Sequence, residues 1–390
     1  MADASTAQHH KSLNSDGSPS IETRVLASLA RAGMPGRVAA SQLDRLRSKG
    51  ASFIVRGSRQ GRDERVGRLA TKHAETYRKI WEGAARAVGA DMEELADGFF
   101  LLRRGGSETV VYRHLVMLDH PVTMTLALNK SVVHDLLTRG GIPVPEHVEL
   151  EREGRDAALR FVAGGSHSCV VKPTAGTSGG SGVTCGVRSP DDLWRAWLAA
   201  GRWGDRMLVE RQVAGEEYRL LFMDGELLDA VRRRPPRVHG DGQKSVMQLI
   251  EEENRRRLDE DREVAKLIRV DLDCELALRE SGLNLRSVVP SGVSVVVKHA
   301  VGDNAAADNT TVAELSPELV DEAARAARIC RLRFAGIDLV TLDPSTSLGD
   351  SGGAILEVNA TPGLHYHYQV SDPHAATPVA APLLERLLTD

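Results

Sequence analysis

Gly336-Ile-Asp-Leu-Val-Thr-Leu-Asp-Pro344 and Ala354-Ile-Leu-Glu-Val-Asn-Ala-Thr-Pro-Gly363 stand near the end of the chain and decide how it is read. Two apolar, β-branched runs, Ile337 to Leu342 and Ala354 to Asn359, flank a segment rich in Ser, Gly, Asp and Pro, the pattern of two antiparallel strands with a loose connection. Polar residues inside such strands are anomalous. Strand side chains alternate faces, so Glu357 and Asn359 point the same way, and folding the hairpin near Ser347 or Leu348 sets Asp338 opposite them. Two carboxylates and an amide oxygen on one face suit a hard cation such as Mg²⁺, which takes few protein ligands and completes its shell with water and substrate phosphates. A solvated acidic edge strand is the bland alternative, and the apolar neighbours around all three residues speak against it.

Outward from the hairpin, 390 residues with 42% hydrophobic content suffice for two or three domain cores. A net charge of -4 gives no general attraction to nucleic acid or an anionic membrane. Four dispersed cysteines without a CxxC pair predict reduced thiols, and with no export signal or membrane-length apolar run the expected compartment is the cytoplasm. Residues 1–20 are polar and expected to be a disordered tail, and 21–120 an N-terminal, mostly helical mixed α/β domain with Phe53-Ile-Val55 as a strand.

Asn129 caps a helix with Val132, Val133, Leu136 and Leu137 on one face, ended by Gly140-Gly141. Lys130 falls in its first turn, where a cation opposes the helix dipole unless an anion is close. Cys169-Val-Val-Lys-Pro173 then runs into Thr174-Ala-Gly-Thr-Ser-Gly-Gly-Ser-Gly182 and a second strand, Val183 to Val187. Such a loop can bring backbone N–H groups close to an anion while Lys172 adds a fixed charge. Because the lysine precedes the glycines, this is not a Walker loop. Glu210 and Glu217, on two strands joined through Val213, are acceptors suited to an exocyclic amine and a ribose diol, although each read alone is a surface charge. Asp224-Gly225 marks a hairpin turn, Val246 to Leu258 a charged helix, Ile268 to Val297 a strand, helix and strand, and Leu315 to Leu332 an Ala-rich helix behind the metal hairpin.

Together these segments resemble the ATP-grasp ligases, in particular the ATP-grasp part of cyanophycin synthetases. The resemblance runs from about Leu101 to His367 and rests on Asn129-Lys130 through Pro145, Val-Val-Lys-Pro173 with its glycine loop, Glu210 through Arg219, Pro235-Pro-Arg-Val-His-Gly-Asp-Gly242 and Glu357-Val-Asn-Ala-Thr-Pro-Gly363. It implies an α/β (α+β) ATP-grasp fold, with a lid subdomain over 121–207 and a catalytic, metal-bearing subdomain over 208–390. ATP and one or two Mg²⁺ are the implied cofactors. Lys130 and Lys172 fall to the phosphates, Thr177, Ser178, Gly179, Gly180, Ser181 and Gly182 to a flexible lid, Glu210 and the backbone near Val213 to adenine, Glu217 to ribose, and Asp338, Glu357 and Asn359 to the metal. Lys298 and Arg233 are the expected catalytic cations. The implied activity is ATP-dependent amide-bond formation through an acyl phosphate, between small-molecule or peptide acid and amine substrates in specialised metabolism, with a small-molecule kinase or a non-catalytic nucleotide-binding protein as the alternatives. Nucleic acid and membranes are not expected partners, and homo-oligomerisation is left open.

Three features depart from the resemblance. The 390 residues hold no segment like the relatives' Mur-ligase-like domain, so a two-step polymerase is not expected; Lys298 to Asp308 replaces the family's arginine-containing loop; and His365 stands where relatives often carry arginine. The resemblance therefore implies retained chemistry with altered substrates.

Overall fold

A computed structural model describes residues 59–151, 154–165, 167–175, 180–259 and 266–389, with side chains from residue 71 onward. The expected tail over 1–20 and the strand at Phe53 to Val55 lie outside these residues. Helix α1 spans Arg59–Val88, and a four-stranded antiparallel meander follows it: β1 Asp91–Ala96, β2 Phe99–Arg104, β3 Ser107–Tyr112 and β4 Leu115–Val116. The helical expectation fails at Asp91–Ala96 because Asp97 and Gly98 both take positive φ and turn the chain back, pairing Asp91 with Arg103.

Next come α2 (Pro121–Ala127), α3 (Lys130–Arg139), β5 (His147–Glu151), α4 (Arg155–Ala163), β6 (Cys169–Pro173), β7 (Thr184–Val187), α5 (Pro190–Ala200) and β8 (Arg206–Arg211). The Asn129 side chain caps α3 by accepting from Val132 N, as its sequence indicates. Strands β5, β8, β6 and β7 lie side by side in one antiparallel sheet. Val171, Val187, Met207 and Val209 pack there against Ala158, Leu193, Ala196 and Trp197 of the two helices. The boundary expected after residue 207 falls inside β8, which pairs with both β5 and β6 along its whole length, so the sheet continues to Arg211.

The remaining elements are β9 (Glu216–Met223), β10 (Glu226–Arg233), β11 (Arg237–His239), α6 (Val246–Asp259), α7 (Leu272–Glu280), β12 (Ser294–Val296), β13 (Asn309–Thr311), α8 (Pro317–Ile329), β14 (Phe334–Thr341), α9 (Leu348–Ser351), β15 (Ala354–Ala360), α10 (His365–Tyr368) and α11 (Ala380–Leu387). The strand expected near Ile268 is absent, because the Asn254 side chain satisfies both the N–H and the C=O of Ile268. Strands β13, β10, β9, β14 and β15 form a five-stranded antiparallel sheet with β9 at its centre. One face is apolar: Leu220, Phe222, Ile337 and Leu339 meet Ala323, Ala324, Ala326 and Ala327 of α8, whose small side chains let helix and sheet approach closely. Each such fully buried Leu, Ile or Phe contributes about 1.5–3 kcal/mol. The opposite face holds the polar residues. Toward its end Leu221, Met223 and Phe334 are covered by Tyr77, Ile80 and Trp81 of α1 and by α11. Strands β11 and β12 form a separate ribbon packed on α6 and α7. The four cysteines are free thiols, and no described helix is long and apolar enough to cross a membrane.

Candidate active site

Strands β14 and β15 pair antiparallel with Asp338 opposite Glu357 and Asn359 opposite Gly336, so the three expected ligands share one face. Gly336 admits no side chain, since a Cβ would meet Pro362 at 2.7 Å. Asn359 Nδ2 donates to Asp338 Oδ2 at 3.2 Å. On the other side β9 sets Arg219 directly across from Asp338, and its guanidinium grips both carboxylate oxygens, Nη2 donating to Oδ2 at 2.6 Å. Burial alone would raise the Asp338 pKa, yet the Arg219 charge and hydrogen bonds, backed by Arg233, hold it below the ordinary carboxylate value.

Arg233, one of the expected catalytic cations, is buried on β10, donates to Glu217 Oε1 at 2.9 Å and lies 3.8 Å from Asp338. Glu217 is pushed up to about 7, chiefly by burial, with Arg233 pulling it down and the charges of Asp338 and Glu357 adding to the rise. A group raised in the folded state stabilises fully below its ordinary value of 4.5, and that contribution is lost as pH climbs through about 7. Glu217→Gln should therefore flatten the fall in stability across this window, measured by urea unfolding at about pH 5 and about pH 8.

Lys130 resolves its conflict with the helix dipole by meeting an anion: its buried Nζ lies 3.1 Å from Glu357 Oε1, while its backbone N–H bonds Thr174 O at the start of the glycine loop. Lys172 Nζ sits 2.7 Å from Glu210 Oε1, both buried. His134 lies beside them, 3.5 Å from Glu210, and is pushed down to about 3 by burial and then by Lys172, so it is neutral. The connection at Val213 is set by Gln212, whose Oε1 accepts from Ser168 and from Gly186 N, and by Gly215, where a Cβ would collide with Thr341 O. Of the lid residues, Gly180 and Gly182 take positive φ as a sharp turn requires, and Ser181 Oγ accepts from Arg269 at 3.4 Å. Thr177, Ser178 and Gly179 lie outside the described residues.

Lys298 is the other expected catalytic cation. It is buried with Nζ 2.6 Å from Asp271 and 3.2 Å from Asp303, so two carboxylates already neutralise it, and Arg219 and Arg233 are the cations found at Asp338. Nearby, His299 bonds Glu280 at 2.6 Å and Asn304 donates to Asn309 at 2.7 Å. Lys298→Met should leave the buried Asp303 with one cation fewer and cost about 3 kcal/mol, the low end for a broken buried pair because Asp271 is partly exposed. Chemical denaturation checks it. His365 accepts or donates at Tyr77 Oη over 2.9 Å, and burial drives its pKa well down, so it is not a substitute for a charged arginine.

The sequence reading assigned no role to Arg219, Lys266 or Tyr366. Arg219 was legible as the charged residue two positions beyond Glu217, on the same strand face and directly before the apolar Leu220 to Met223. Tyr366 and Lys266, 100 residues apart, carried no signal.

The donor set fits Mg²⁺. Burial first, and then the charges of Asp338 and Glu357, raise Glu217 even with Arg233 attached, the electrostatic condition a further cation relieves, and Asp338 Oδ1, which accepts from Arg219, keeps a second lone pair. Among the described residues no group of three or more His, Cys, Asp or Glu side chains could hold a metal ion by itself.

No family model matches the chain. Over 248 residues, 62% of its length, it is 33% identical to cyanophycin synthetase of Nostoc sp. strain PCC 7120, of which that segment covers 27%. Over this segment the chain is similar to the cyanophycin synthetases. It spans less than a third of their length. The chain is also 29% identical to the glutathione biosynthesis bifunctional protein GshAB of Streptococcus mutans over 258 residues, 64% of this chain and 34% of that protein. Among solved structures, a bifunctional glutathione synthetase from Pasteurella multocida aligns over 77% of this chain and 41% of its own, with TM-score 0.48 and 22% identity.

Proposed function

We propose that this ATP-grasp protein is a carboxylate-amine ligase that forms an amide through an acyl phosphate and releases ADP and phosphate. One observation carries the reading: Asp338, Glu357 and Asn359 share a sheet face with Arg219 and Arg233, and Lys130 ties that face to the start of the glycine loop. Mg²⁺ held by the three ligands would neutralise the phosphoryl oxygens during transfer.

The chain's own residues supply the rest. Lys130 and Lys172 bind phosphate oxygens, exchanging their carboxylate partners for the nucleotide, while Glu210 and the Val213 backbone take adenine and Glu217 takes ribose. The Gly180–Gly182 turn closes over the phosphates and keeps water from an acyl phosphate, whose hydrolysis would waste each ATP. Arg219, held by Asp338, fixes one ligand's orientation, and Arg233 presents its charge beside the reacting carboxylate. The relatives' names support peptide-like products, and amino acids or peptides of specialised metabolism are the substrates we assign.

Nucleotide chromatography during a pairwise screen of amino acids and short peptides tests this. ADP and phosphate that appear only when an acid and an amine are both present support the ligase. AMP and pyrophosphate would instead indicate adenylation, and a stable phosphorylated product a kinase.

A further inference from the structure

Tyr366 lies on the one-turn helix α10, directly after the strand that carries Glu357 and Asn359, and its ring covers the two arginines of the metal face. The Arg233 guanidinium carbon is 4.8 Å from the ring centroid and that of Arg219 is 5.4 Å away. Lys266, arriving from the segment after α6, places Nζ 2.6 Å from Tyr366 Oη. The His365 ring centroid lies 4.1 Å from that of Tyr366, the two rings tilted by 36°, and His365 is itself bonded to Tyr77 of α1. Three permanent cations from three separate elements thus converge on one phenol, and the neighbouring His365 adds none because burial keeps it neutral.

We propose that Tyr366 is the proton acceptor for the attacking amine, held in place by Lys266 and set over the Arg219 and Arg233 pair at the edge of the acyl-phosphate site. The proposal rests on the ligase reading above. An amine substrate arrives as R-NH₃⁺ and cannot attack until it loses a proton. The phenolate oxygen takes that proton; the free nitrogen pair forms the C–N bond to the acyl carbon. The C–O bond to phosphate then breaks with its electron pair on the leaving oxygen, and the second nitrogen-bound proton goes to the departing phosphate. The phenol returns its proton to water before the next turnover.

The electrostatics agree with this geometry. Burial pushes the Tyr366 phenol up, but Lys266 first, then Arg233 and Arg219, outweigh it and bring the group below its ordinary value of 10.0. Tyr77, Tyr218 and Tyr368 all shift upward, burial being the largest cause. An acceptor whose pKa moves down toward working pH transfers protons more effectively.

Two measurements test it. Ultraviolet difference titration of tyrosinate needs no substrate: the first-ionising of the five tyrosines should vanish in Tyr366→Phe and move to higher pH in Lys266→Met. Identical titration curves for wild type and both variants would overturn the proposal, whether or not the ligase reading holds. With the acid and amine returned by the screen, Tyr366→Phe should lower amide formation by about 10²–10⁴-fold, the usual contribution of a general base. Capture of the same acyl phosphate by hydroxylamine, which is unprotonated at neutral pH, should stay within about threefold. An equal loss with both nucleophiles would make Tyr366 a structural residue and refute its role as base. A screen that returns no acid and amine pair refutes the ligase reading, while the titration still decides the ionisation of Tyr366.

Discussion

Glu357→Gln is expected to reduce ATP turnover by about 10²–10³-fold, the cost of one preorganised group that stabilises transition-state charge, with little change in stability. Glu357 is the ligand best placed to show this separation. Its side chain is 31% exposed, the isosteric amide opens no cavity, and the amide oxygen still accepts from the buried Lys130 ammonium although the ion pair is lost. The amide keeps the shape and one acceptor oxygen but removes the charge that a divalent cation requires. Lys130, relieved of its partner, remains available for phosphate. Turnover at saturating ATP and Mg²⁺, beside a urea unfolding curve, checks both halves. Turnover within about threefold of wild type would remove Glu357 from the metal set.

Arg219→Met should give the largest loss of stability, about 3–5 kcal/mol, because it leaves the Asp338 carboxylate buried without its bidentate partner. The distinguishing result is in the double variant. Arg219→Met with Asp338→Asn should recover part of that loss, since the stranded charge is gone and Arg233 keeps Glu217. Urea denaturation of the two singles and the double closes the cycle. Additive effects would mean that the pair is not coupled, and a single-variant loss under about 1 kcal/mol would show that water or Arg233 replaces Arg219 at no cost.

The hairpin was legible because its determinants are local. Period-two alternation fixes which side chains share a face, and a turn between two apolar runs fixes where the chain reverses, so the Asp338 to Glu357 register followed from counting. The cap at Asn129, the turn at Asp224-Gly225 and the glycine loop after Lys172 were readable for the same reason: each is specified by residues within one turn of each other. The first hairpin was not, because Asp91 to Ala96 alternates weakly and its pairing depends on Asp97 taking a positive φ that the residue tolerates without announcing it.

By itself the sequence determined the two strands of the late hairpin and its polar face, and that Asp338, Glu357 and Asn359 converge. It did not determine how cations are shared among acids. Lys298 ends a strand-like apolar run and Arg219 opens one, yet Lys298 is drawn into Asp271 and Asp303 while Arg219 reaches Asp338, a partner 119 residues away. Tyr366 receives Lys266 and two arginines from elements that only the folded chain brings together. Such pairings depend on distance and burial in three dimensions, because a charge removed from water takes the nearest counter-charge that the packing offers, whatever its place in the chain.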